Sequence, residues 1–576
     1  MESTFYSLNT LADILGTSVA TVQKWGDSGI YPLHKDEKGR VGFMSQELMQ
    51  IDAIRNMNDG EWYKEFHSKP NRIFTSVELF AGAGGLALGL DMAGFQHVLL
   101  NEFDDQACNT LRINKPNWNV LEGDIHNIDF TPLRDKIDLI SGGFPCQAFS
   151  YAGKKGGLND TRGTLFFELA RAVNEIRPKV FLCENVKGLQ SHDGGKTLEI
   201  IRNAIKELGY TLIEPRVLKA IMYQVPQKRE RIILIAIRND YANKVSFKWP
   251  SPYHRVMTLR DAFFKGELYP TDVPESDGQL YPEKKRRVME MVPEGGDWRD
   301  LPIEEQKAYM GGSFYLGGGK TGMARRLSMD EPSLTLVCSP AQKQTERCHP
   351  IETRPLNIRE YARIQTFPDN WIFMGKMLDK YKQIGNAVPV NLAYALGRAI
   401  VRLLNDIDNL CPEEENFDEA DRIAKSMLPS RLMQLDLFAL LEQHQDGVLA
   451  EPPKYYKSNW KNLLISLVSD KLSYEFDESK ATFYYTGSKF PSTISLQKLQ
   501  LFVPYIKGKG IRDLYRITKI RVASKREVDV RARKSDYRIF FELRFVRNIF
   551  ADYQPINLNI WRTYNYSSLE NILESK

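Results

Sequence analysis

The sequence has little of what marks secreted, membrane-bound or metal-binding proteins. Its six cysteines are scattered through 576 residues, with no Cys-x-x-Cys pair and no histidine cluster beside them. This spacing argues against a disulfide framework and a zinc site, so we expect no metal and a reducing compartment. The longest apolar runs, such as 232–237, are far shorter than the roughly 20 residues that span a membrane. The polar N-terminus lacks the blocks of a signal peptide, and we therefore expect a cytoplasmic protein.

Strong net charge is also absent, but the charges are unevenly distributed. The whole chain carries a formal charge of +5, whereas residues 497–547 contain fifteen Lys or Arg and five Asp or Glu. Aromatic residues lie among these cations, at Tyr505, Tyr515, Tyr537, Phe540 and Phe541. The pattern predicts a nucleic-acid-binding surface, although a solvated face of a β domain has a similar composition. The length indicates about three or four domains.

Residues 1–66 predict a small helical domain. Two short helical patterns, 8–15 and 19–25, are joined at Gly16-Thr17-Ser18. The arrangement resembles a helix-turn-helix of the MerR or excisionase type, with 35–43 as its wing, and the resemblance implies DNA binding. A helical domain that binds protein, or nothing, explains the pattern equally well because the motif is short.

Strand-like and helix-like segments alternate between residues 73 and 250, the pattern of a doubly wound α/β sheet. We expect strands at 74–80, 97–101, 137–141, 179–183, 211–217 and 231–237, and helices at 85–93, 163–176 and 196–207. Regular structure stops over 251–352 and resumes over 353–405, with helices at 358–366 and 387–404. The acidic stretch 412–421 has the composition of a solvated linker or of a helix surface. Residues 430–576 predict a basic β-rich accessory domain.

A glycine-rich loop, Phe80-Ala81-Gly82-Ala83-Gly84-Gly85, follows the first strand of this region and opens a helix. Its glycines allow backbone N–H groups to approach a ligand. Glu102 lies twenty positions beyond Gly82 at the end of the next strand, where a carboxylate can accept hydrogen bonds from ribose hydroxyls. The spacing predicts a nucleoside cofactor without distinguishing among the possible ones.

A second loop, 142–150, contains the candidate nucleophile Cys146. It follows an apolar strand, so Cys146 is expected at the sheet edge where ligands bind in α/β proteins. Most free cysteines are buried and structural, but the glycines, Pro145, Gln147 and Ser150 around this one argue against burial. Partial exposure is what a reactive thiolate requires.

Taken in order, these loops and four later segments resemble the DNA (cytosine-5)-methyltransferase family from about residue 73 to 402. The later segments are Gly123-Asp124-Ile125, Glu184-Asn185-Val186, 227–231 (QKRER) and 383–389 (QIGNAVP). The resemblance implies a Rossmann-like fold that binds S-adenosylmethionine through Phe80, Ala81, Gly82, Gly84, Gly85, Glu102, Asp124, Ile125, Pro145, Asn386 and Val388. It implies catalysis by Cys146, Glu184, Arg229 and Arg231. The loop 150–162 after the nucleophile contains glycines and lysines and predicts a lid that closes on DNA, with Gln147, Ser150, Lys154 and Lys155 as its DNA-contacting residues, although an ordinary exposed loop has the same composition.

The implied reaction begins when the Cys146 thiolate adds to C6 of a cytosine that has been flipped out of duplex DNA. Glu184 would then act at N3, Arg231 at O2, and Arg229 would brace the loop. Residues 251–352 occupy the place of the family's target recognition domain, and we expect its cations to read guanine edges: Arg286, Arg287, Arg325, Arg326, Lys343 and Arg347.

The resemblance further implies a monomeric bacterial enzyme, the modification half of a restriction-modification system, whose cognate endonuclease acts on the same site without needing to bind it. Two alternatives use the same motifs. One branch of the family methylates tRNA, which would make RNA the substrate. A DNA-binding regulator that has lost catalysis would need neither Cys146, Glu184 nor Arg231, and their presence argues against it.

Overall fold

The computed structural model describes residues 4–144, 165–317, 321–412 and 416–428, and beyond them the backbone of six strands between 463 and 567. The residues up to Leu428 form one compact unit and those from Pro429 onward a second. One stretch of the described chain, Met377–Leu410, is long and apolar enough to cross a membrane, but 83% of its apolar window is buried inside the first unit. It is therefore a core element.

The N-terminal module, residues 4–66, has helices at the two predicted positions and a strand pair where the sequence predicts a wing. Ser7 and Ser18 cap α1 and α2, each accepting a hydrogen bond from the backbone N–H three residues later. The strands form a small antiparallel sheet in the order β1-β3-β2. The elements are β1 (Phe5–Ser7), α1 (Leu8–Leu15), α2 (Val19–Asp27), β2 (His34–Lys35), β3 (Val41–Met44), α3 (Asp52–Asp59) and α4 (Trp62–Phe66).

An eight-stranded mixed sheet follows, in the order β10-β12-β8-β7-β4-β5-β6, with β9 paired to β12. The strands β4 to β8 are parallel, and β12 runs antiparallel to β8. Its strands are β4 (Phe74–Leu79), β5 (Phe95–Glu102), β6 (Val120–Glu122), β7 (Leu139–Gly143), β8 (Val180–Val186), β9 (Tyr210–Leu212), β10 (Arg216–Lys219) and β12 (Glu230–Arg238); β11 (Gln227–Lys228) pairs separately with β13 (Ser333–Leu334). The doubly wound α/β prediction is confirmed, with an antiparallel edge added.

Helices cover both faces of this sheet. On one face α5 packs closely on α15, because Gly89 has no side chain and its Cβ would lie 2.4 Å from that of Ala393. The further α-helices in the described part of the first unit are α5 (Gly85–Met92), α6 (Asp105–Asn114), α7 (Leu165–Ile176), α8 (Lys196–Glu207), α9 (Asn239–Ala242), α10 (Leu259–Phe263), α11 (Glu283–Glu290), α12 (Ile303–Met310), α13 (Ile358–Ile364), α14 (Met377–Asn386), α15 (Val390–Leu410) and α16 (Phe417–Met427).

Two predicted elements differ from the structure, and a third agrees with one of its two alternatives. The strand expected at 211–217 is divided between β9 and β10, because Pro215 between them has no N–H to donate to a strand ladder. The helix expected at 387–404 begins only after Pro389, with α14 ending just before it. From Phe417 the acidic stretch 412–421 belongs to α16, which agrees with the helix alternative and not with the linker; Ala420 and Ala424 of this helix are completely buried in the core. The acidic residues of α16 therefore lie on a helix that packs against the sheet.

The second unit forms a six-stranded sheet in the order β15-β18-β17-β16-β14-β19. Only β14 and β16 pair in parallel among these described strands. Its strands are β14 (Leu463–Val468), β15 (Phe483–Tyr485), β16 (Leu501–Ile506), β17 (Asp513–Ser524), β18 (Tyr537–Asn548) and β19 (Tyr564–Ser567). The β-rich prediction for this region agrees with these strands.

Candidate active site

Several of the described residues among those that the sequence predicts lie at one edge of the large sheet, where its parallel strands end. The glycine-rich loop follows β4, Glu102 ends β5, Asp124 follows β6, the predicted nucleophile loop follows β7, and Glu184 lies near the end of β8. Ligands of α/β proteins bind at this carboxyl edge. The fold thus brings the two groups of predicted residues, for cofactor and for catalysis, to neighbouring strand ends.

Glu184 and Arg231 form an ion pair at this edge. Arg231 Nε lies 2.7 Å from Glu184 Oε1, and the two side chains are only 13% and 12% exposed. Because β12 runs antiparallel to β8, Arg231 comes level with the last residue of β8, two positions beyond Glu184. On the other side Glu184 stands opposite Gly143, where a Cβ would lie 3.0 Å from the carboxylate. The glycine leaves room for the acid beside the start of the nucleophile loop.

Asn185 fixes the start of that loop. Its Nδ2 donates to the carbonyl oxygen of Phe144 at 2.9 Å, and the Phe144 ring packs against Phe166 with centroids 5.3 Å apart. The predicted loop and lid residues lie outside the described residues: Pro145, Cys146, Gln147, Ser150, Lys154 and Lys155. Asn185, the neighbour of Glu184, therefore holds Phe144, the last described residue before Cys146. Sequence reasoning gave Asn185 no role, and its place next to a predicted catalytic acid is the signal that was available.

Arg229 is buried and joins the QKRER segment to the late QIGNAVP segment. Its guanidinium donates to the carbonyl oxygens of Gly385 at 3.1 Å and Asn386 at 3.4 Å. Burial and the nearby charge of Arg231 lower the pKa of Arg229 to about 9, which leaves it protonated at neutral pH. Gln227 strengthens the same junction, since its Nε2 donates to Gln365 Oε1 at 2.9 Å.

The glycine-rich loop is held by Glu102. Its Oε2 accepts from the Gly82 N–H at 2.7 Å, and its Oε1 accepts from the N–H groups of Phe103 and Asp104 at 2.8 Å. Phe80, like Gly82 and Gly84, has a positive φ, which turns the loop sharply between β4 and α5. A carboxylate oxygen accepts more than one hydrogen bond, so Glu102 retains capacity for a ribose hydroxyl.

The remaining predicted cofactor residues lie around this loop. Val388 is buried behind it, and its carbonyl oxygen would lie 2.2 Å from a Cβ placed on Gly85. Ile125 is buried, whereas Asp124 and Asn386 are exposed. The His126 ring, whose Nδ1 lies 2.6 Å from Asp124 Oδ1, lowers the pKa of that carboxyl. Ala81 is buried at the turn itself.

Glu78 is a buried acid beneath the loop, and the sequence alone assigns it no role of its own. It accepts hydrogen bonds from the Ala87 N–H in α5 and from Ser141 Oγ in β7, each at 3.1 Å. Burial raises the pKa of Glu78 to about 8. Its signal in the sequence is a lone carboxylate inside the apolar strand 74–79.

The target-recognition prediction is wrong for two of its six cations. Arg326 is buried, and Arg347 donates to the carbonyl oxygens of Glu346 and Thr335. Arg326 donates to Thr353 Oγ1 and to the carbonyl oxygens of Met289, Val292, His349, Pro350, Ile351 and Glu352. These guanidinium groups hold the irregular chain together. The exposed Arg286 and Arg287 are paired with Glu283 on their own helix.

No group of three or more His, Cys, Asp or Glu side chains that could hold a metal ion occurs within the described ranges.

Comparison with known proteins adds independent evidence. The family model of C-5 cytosine-specific DNA methylases matches residues 74–402. The chain is 60% identical over 404 residues to Type II methyltransferase M.Eco47II of Escherichia coli, covering 70% of this chain and 97% of that protein. It is 50% identical over 372 residues to Type II methyltransferase M.Sau96I of Staphylococcus aureus, covering 63% and 84%. The chain therefore belongs to the C-5 cytosine-specific DNA methylase family and is a DNA cytosine-5-methyltransferase.

Proposed function

We propose that the enzyme transfers a methyl group from S-adenosylmethionine to C5 of a cytosine in a specific duplex DNA sequence, through a covalent bond between Cys146 and C6. The observation that carries this proposal is the Glu184–Arg231 ion pair at the start of the nucleophile loop, on the sheet edge that also carries the glycine-rich loop. A thiolate, an acid and a guanidinium are the groups that the reaction needs around the cytosine ring.

The residues around the glycine-rich loop suit a nucleoside ligand. A Cβ at Gly82 or at Gly123 would meet no atom within 4 Å, so there is open space beside both. Glu102 lies between them, since its side chain binds the Gly82 N–H and its carbonyl oxygen binds the Gly123 N–H. We infer that Glu102 holds the ribose, and that Asp124, Ile125 and Val388 adjoin the adenine. When bound, S-adenosylmethionine supplies an electrophilic methyl group.

The protein groups have separate tasks in this reaction. Addition of the Cys146 thiolate to C6 makes C5 nucleophilic, and Glu184 favours the addition by holding a proton at N3. The five N–H donors of Arg231 outnumber the two partners described for it, Glu184 and the Glu230 carbonyl, which leaves donors for cytosine O2. After the methyl group has reached C5, the C5 proton passes to water and elimination of the Cys146 thiolate releases 5-methylcytosine.

Expression in a host without cytosine methylation, followed by genome-wide mapping of 5-methylcytosine, tests the proposal. Modified cytosines in one DNA sequence are expected from the wild type and none from Cys146→Ser, which should still bind DNA. Cys411→Ser is the matched control because Cys411 is exposed at the end of α15. Unchanged methylation by Cys146→Ser would contradict the covalent mechanism. Methylation of tRNA instead of DNA would support the RNA alternative, and DNA binding without methyl transfer by the wild type would support a regulator.

Glu184→Gln separates catalysis from cofactor binding. The variant keeps the size of the side chain, but an amide can neither ionise nor hold a transferable carboxyl proton. We therefore expect kcat to fall by roughly a hundredfold or more. Affinity for S-adenosylmethionine, measured by calorimetry, should remain unchanged, because Glu184 on β8 lies three strands away from Glu102 on β5. An equal loss of cofactor affinity would refute the assigned role.

We also propose that the second unit anchors the enzyme on duplex DNA. Directly paired residues of neighbouring strands share one face of a sheet. The register therefore assigns one face of β17 and β18 to Arg516, Lys519, Arg521, Arg538 and Arg544, with Glu542 and Phe540 among them. The opposite face receives apolar pairs such as Ile517 with Leu543 and Val522 with Ile539. A face with five cations and one acid suits a run of phosphates.

The salt dependence of DNA binding tests this anchor. Each phosphate that the protein neutralises contributes about 0.9 to the slope of log Kd against log salt, so replacing Arg516, Arg521, Arg538 and Arg544 by Gln should lower the slope by roughly 3 to 4. The control replaces the same number of cations outside these strands, Lys454, Lys457, Lys461 and Lys471. Equal slopes for the two variants would contradict the proposal. Tighter binding of single-stranded DNA or RNA than of duplex DNA would assign this face a different ligand.

The relatives suggest the biological setting. We infer a modification enzyme of a bacterial restriction-modification system, cytoplasmic and monomeric, that shares its target with a separate endonuclease. Identity of 60% extending over 97% of M.Eco47II includes the target recognition region, so we expect the two enzymes to methylate the same sequence. Different methylation maps would contradict a shared target.

A further inference from the structure

The N-terminal module does not have the charge of a DNA-binding domain. Residues 1–66 contain ten Asp or Glu and six Lys or Arg, a balance of −4. Two of the cations in its predicted wing, Lys38 and Arg40, are engaged by Asp330 of the target recognition region. A net negative module would repel phosphates rather than attract them. Its contacts with the rest of the unit indicate a different task.

Those contacts include two lysines close to Arg229 and Arg231, one in the QKRER segment and one at the end of β10. Lys228, directly before Arg229, places Nζ 2.7 Å from Asp13 Oδ2 in α1 and 3.4 Å from Glu331 Oε2. Asn9 of α1 completes the bridge, donating to Glu331 Oε1 at 2.6 Å. Helix α1 thus binds the QKRER segment through Lys228, while the next residue, Arg229, is held by the carbonyl groups of the QIGNAVP segment.

A second lysine attaches the same end of α1 to the neighbouring strand. Lys219 Nζ donates to the carbonyl oxygens of Asp13 and Ile14, each at 2.8 Å, where a cation also complements the carboxyl end of the helix dipole. Lys219 ends β10, and β10 pairs with β12 so that Leu218 stands opposite Arg231. Lys228 precedes Arg229 in the chain, and Lys219 is paired with Glu230, the residue between the two arginines. Both lysines therefore connect α1 to the immediate surroundings of Arg229 and Arg231.

The module is not a loosely attached appendage. Its apolar core, which includes Leu11 and Val22, also contains Ile221 and Val256, two residues of the first unit that lie outside the module. Asp13 is partly buried at this junction, with 27% of its side chain exposed, and burial raises its pKa while Lys228 opposes the rise. A carboxylate removed from water needs such a partner, so the pair is a specific connection.

We propose that the N-terminal module is a positioning element of the methyltransferase, in which Asp13 orients Lys228 and thereby fixes Arg229 and Arg231 for their work on cytosine. The proposal rests on the proposed role of Arg231. Asp13 touches no reacting atom and acts only through Lys228. In this arrangement, the packing of α1 against the rest of the first unit determines the positions of Arg229 and Arg231.

The experiment compares Asp13→Asn, Asp13→Glu and Lys38→Ala in the full-length protein. Lys38→Ala is the matched control, because it breaks another ion pair of the module, with Asp330, that does not involve Lys228. Steady-state methylation of a short duplex gives kcat together with KM for DNA and for S-adenosylmethionine, and thermal unfolding gives stability.

Asp13→Asn is expected to lower kcat by about fivefold or more, the usual size of coupling within one ion-pair network. KM for S-adenosylmethionine should not change, and Asp13→Glu should recover most of the rate. Lys38→Ala should lower the melting temperature without changing kcat. Equal kcat values for Asp13→Asn and Lys38→Ala would overturn the proposal, as would a change confined to KM for DNA. An inactive wild type would instead refute the proposed function itself.

Discussion

Glu78 allows a quantitative test of the structure beneath the cofactor loop. Its carboxyl is completely buried between β7 and α5, and its described partners are two neutral donors, the Ala87 N–H and Ser141 Oγ. Among the described residues no cation forms an ion pair with it. Burial without a countercharge disfavours the ionised form, and this raises the pKa of Glu78 from 4.5 to about 8. At neutral pH the folded protein therefore holds a proton that the unfolded chain has lost.

The sign and size of the pH dependence follow from this difference. Because the folded state binds more protons than the unfolded state between pH 4.5 and about 8, the free energy of unfolding falls as pH rises through that window. The contribution of Glu78 is fully present below pH 4.5 and lost above about pH 8. At about 1.4 kcal/mol for each pH unit, the loss amounts to about 5 kcal/mol over the whole window.

Urea unfolding of wild type and Glu78→Gln between pH 5.5 and 8.5 measures the effect. Glutamine has the same shape and cannot ionise, so the variant should become more stable relative to wild type by about 1.4 kcal/mol per pH unit up to about pH 8. Glu207→Gln, which changes an exposed carboxylate of α8, is the control and should follow wild type. Parallel curves for wild type and Glu78→Gln would refute the reasoning, because they would mean that Glu78 is ionised in the folded protein.

Three further predictions concern neighbouring features. Gly85→Ala should weaken S-adenosylmethionine binding in calorimetry by about tenfold or more, because its Cβ would lie 2.2 Å from the Val388 carbonyl oxygen and displace the loop. Arg326→Met should cost about 3 kcal/mol or more by leaving buried carbonyl groups unpaired, and limited proteolysis should then cut within 251–352. A chain ending at 428 should have the melting temperature that the first unit has in the full-length protein. A chain ending at 410 lacks α16, and its melting temperature should be several degrees lower.

The parts of the fold that could be predicted are those with local signals. The strands before the glycine-rich loop and before the nucleophile loop are short apolar runs followed by glycines, and both are where the sequence indicates. The capping box of Asn357 and Glu360 likewise marks the start of α13. Helix α6, capped by Asp104, was missed although its cap is local, because the following helix has a mixed surface without a clear apolar stripe.

What could not be predicted depends on contacts distant in sequence. Arg326 lies in a glycine-rich irregular region and has the composition of a DNA reader, but its partners are carbonyl groups 23 to 37 residues away. Asp13 and Lys228 are 215 positions apart, and neither has a local pattern that relates it to the other. Composition indicates which chemistry is available to a residue, whereas only the fold determines whether its charge is used inside the protein or presented to a ligand.

The first and second units differ in net charge, and this difference suggests what the second unit contributes. Residues 1–428 carry 54 Lys or Arg and 57 Asp or Glu, a balance of −3, while residues 429–576 carry 24 and 16, a balance of +8. A catalytic unit that is slightly negative, and whose arginines are partly used to hold its own chain, has little long-range attraction for a polyanion. Under our proposal that the second unit binds DNA, tethering it to the first unit raises the local concentration of DNA without altering the contacts that select a sequence. Removal of residues 429–576 should therefore weaken binding to long DNA at physiological salt far more than it changes the sequence that is methylated.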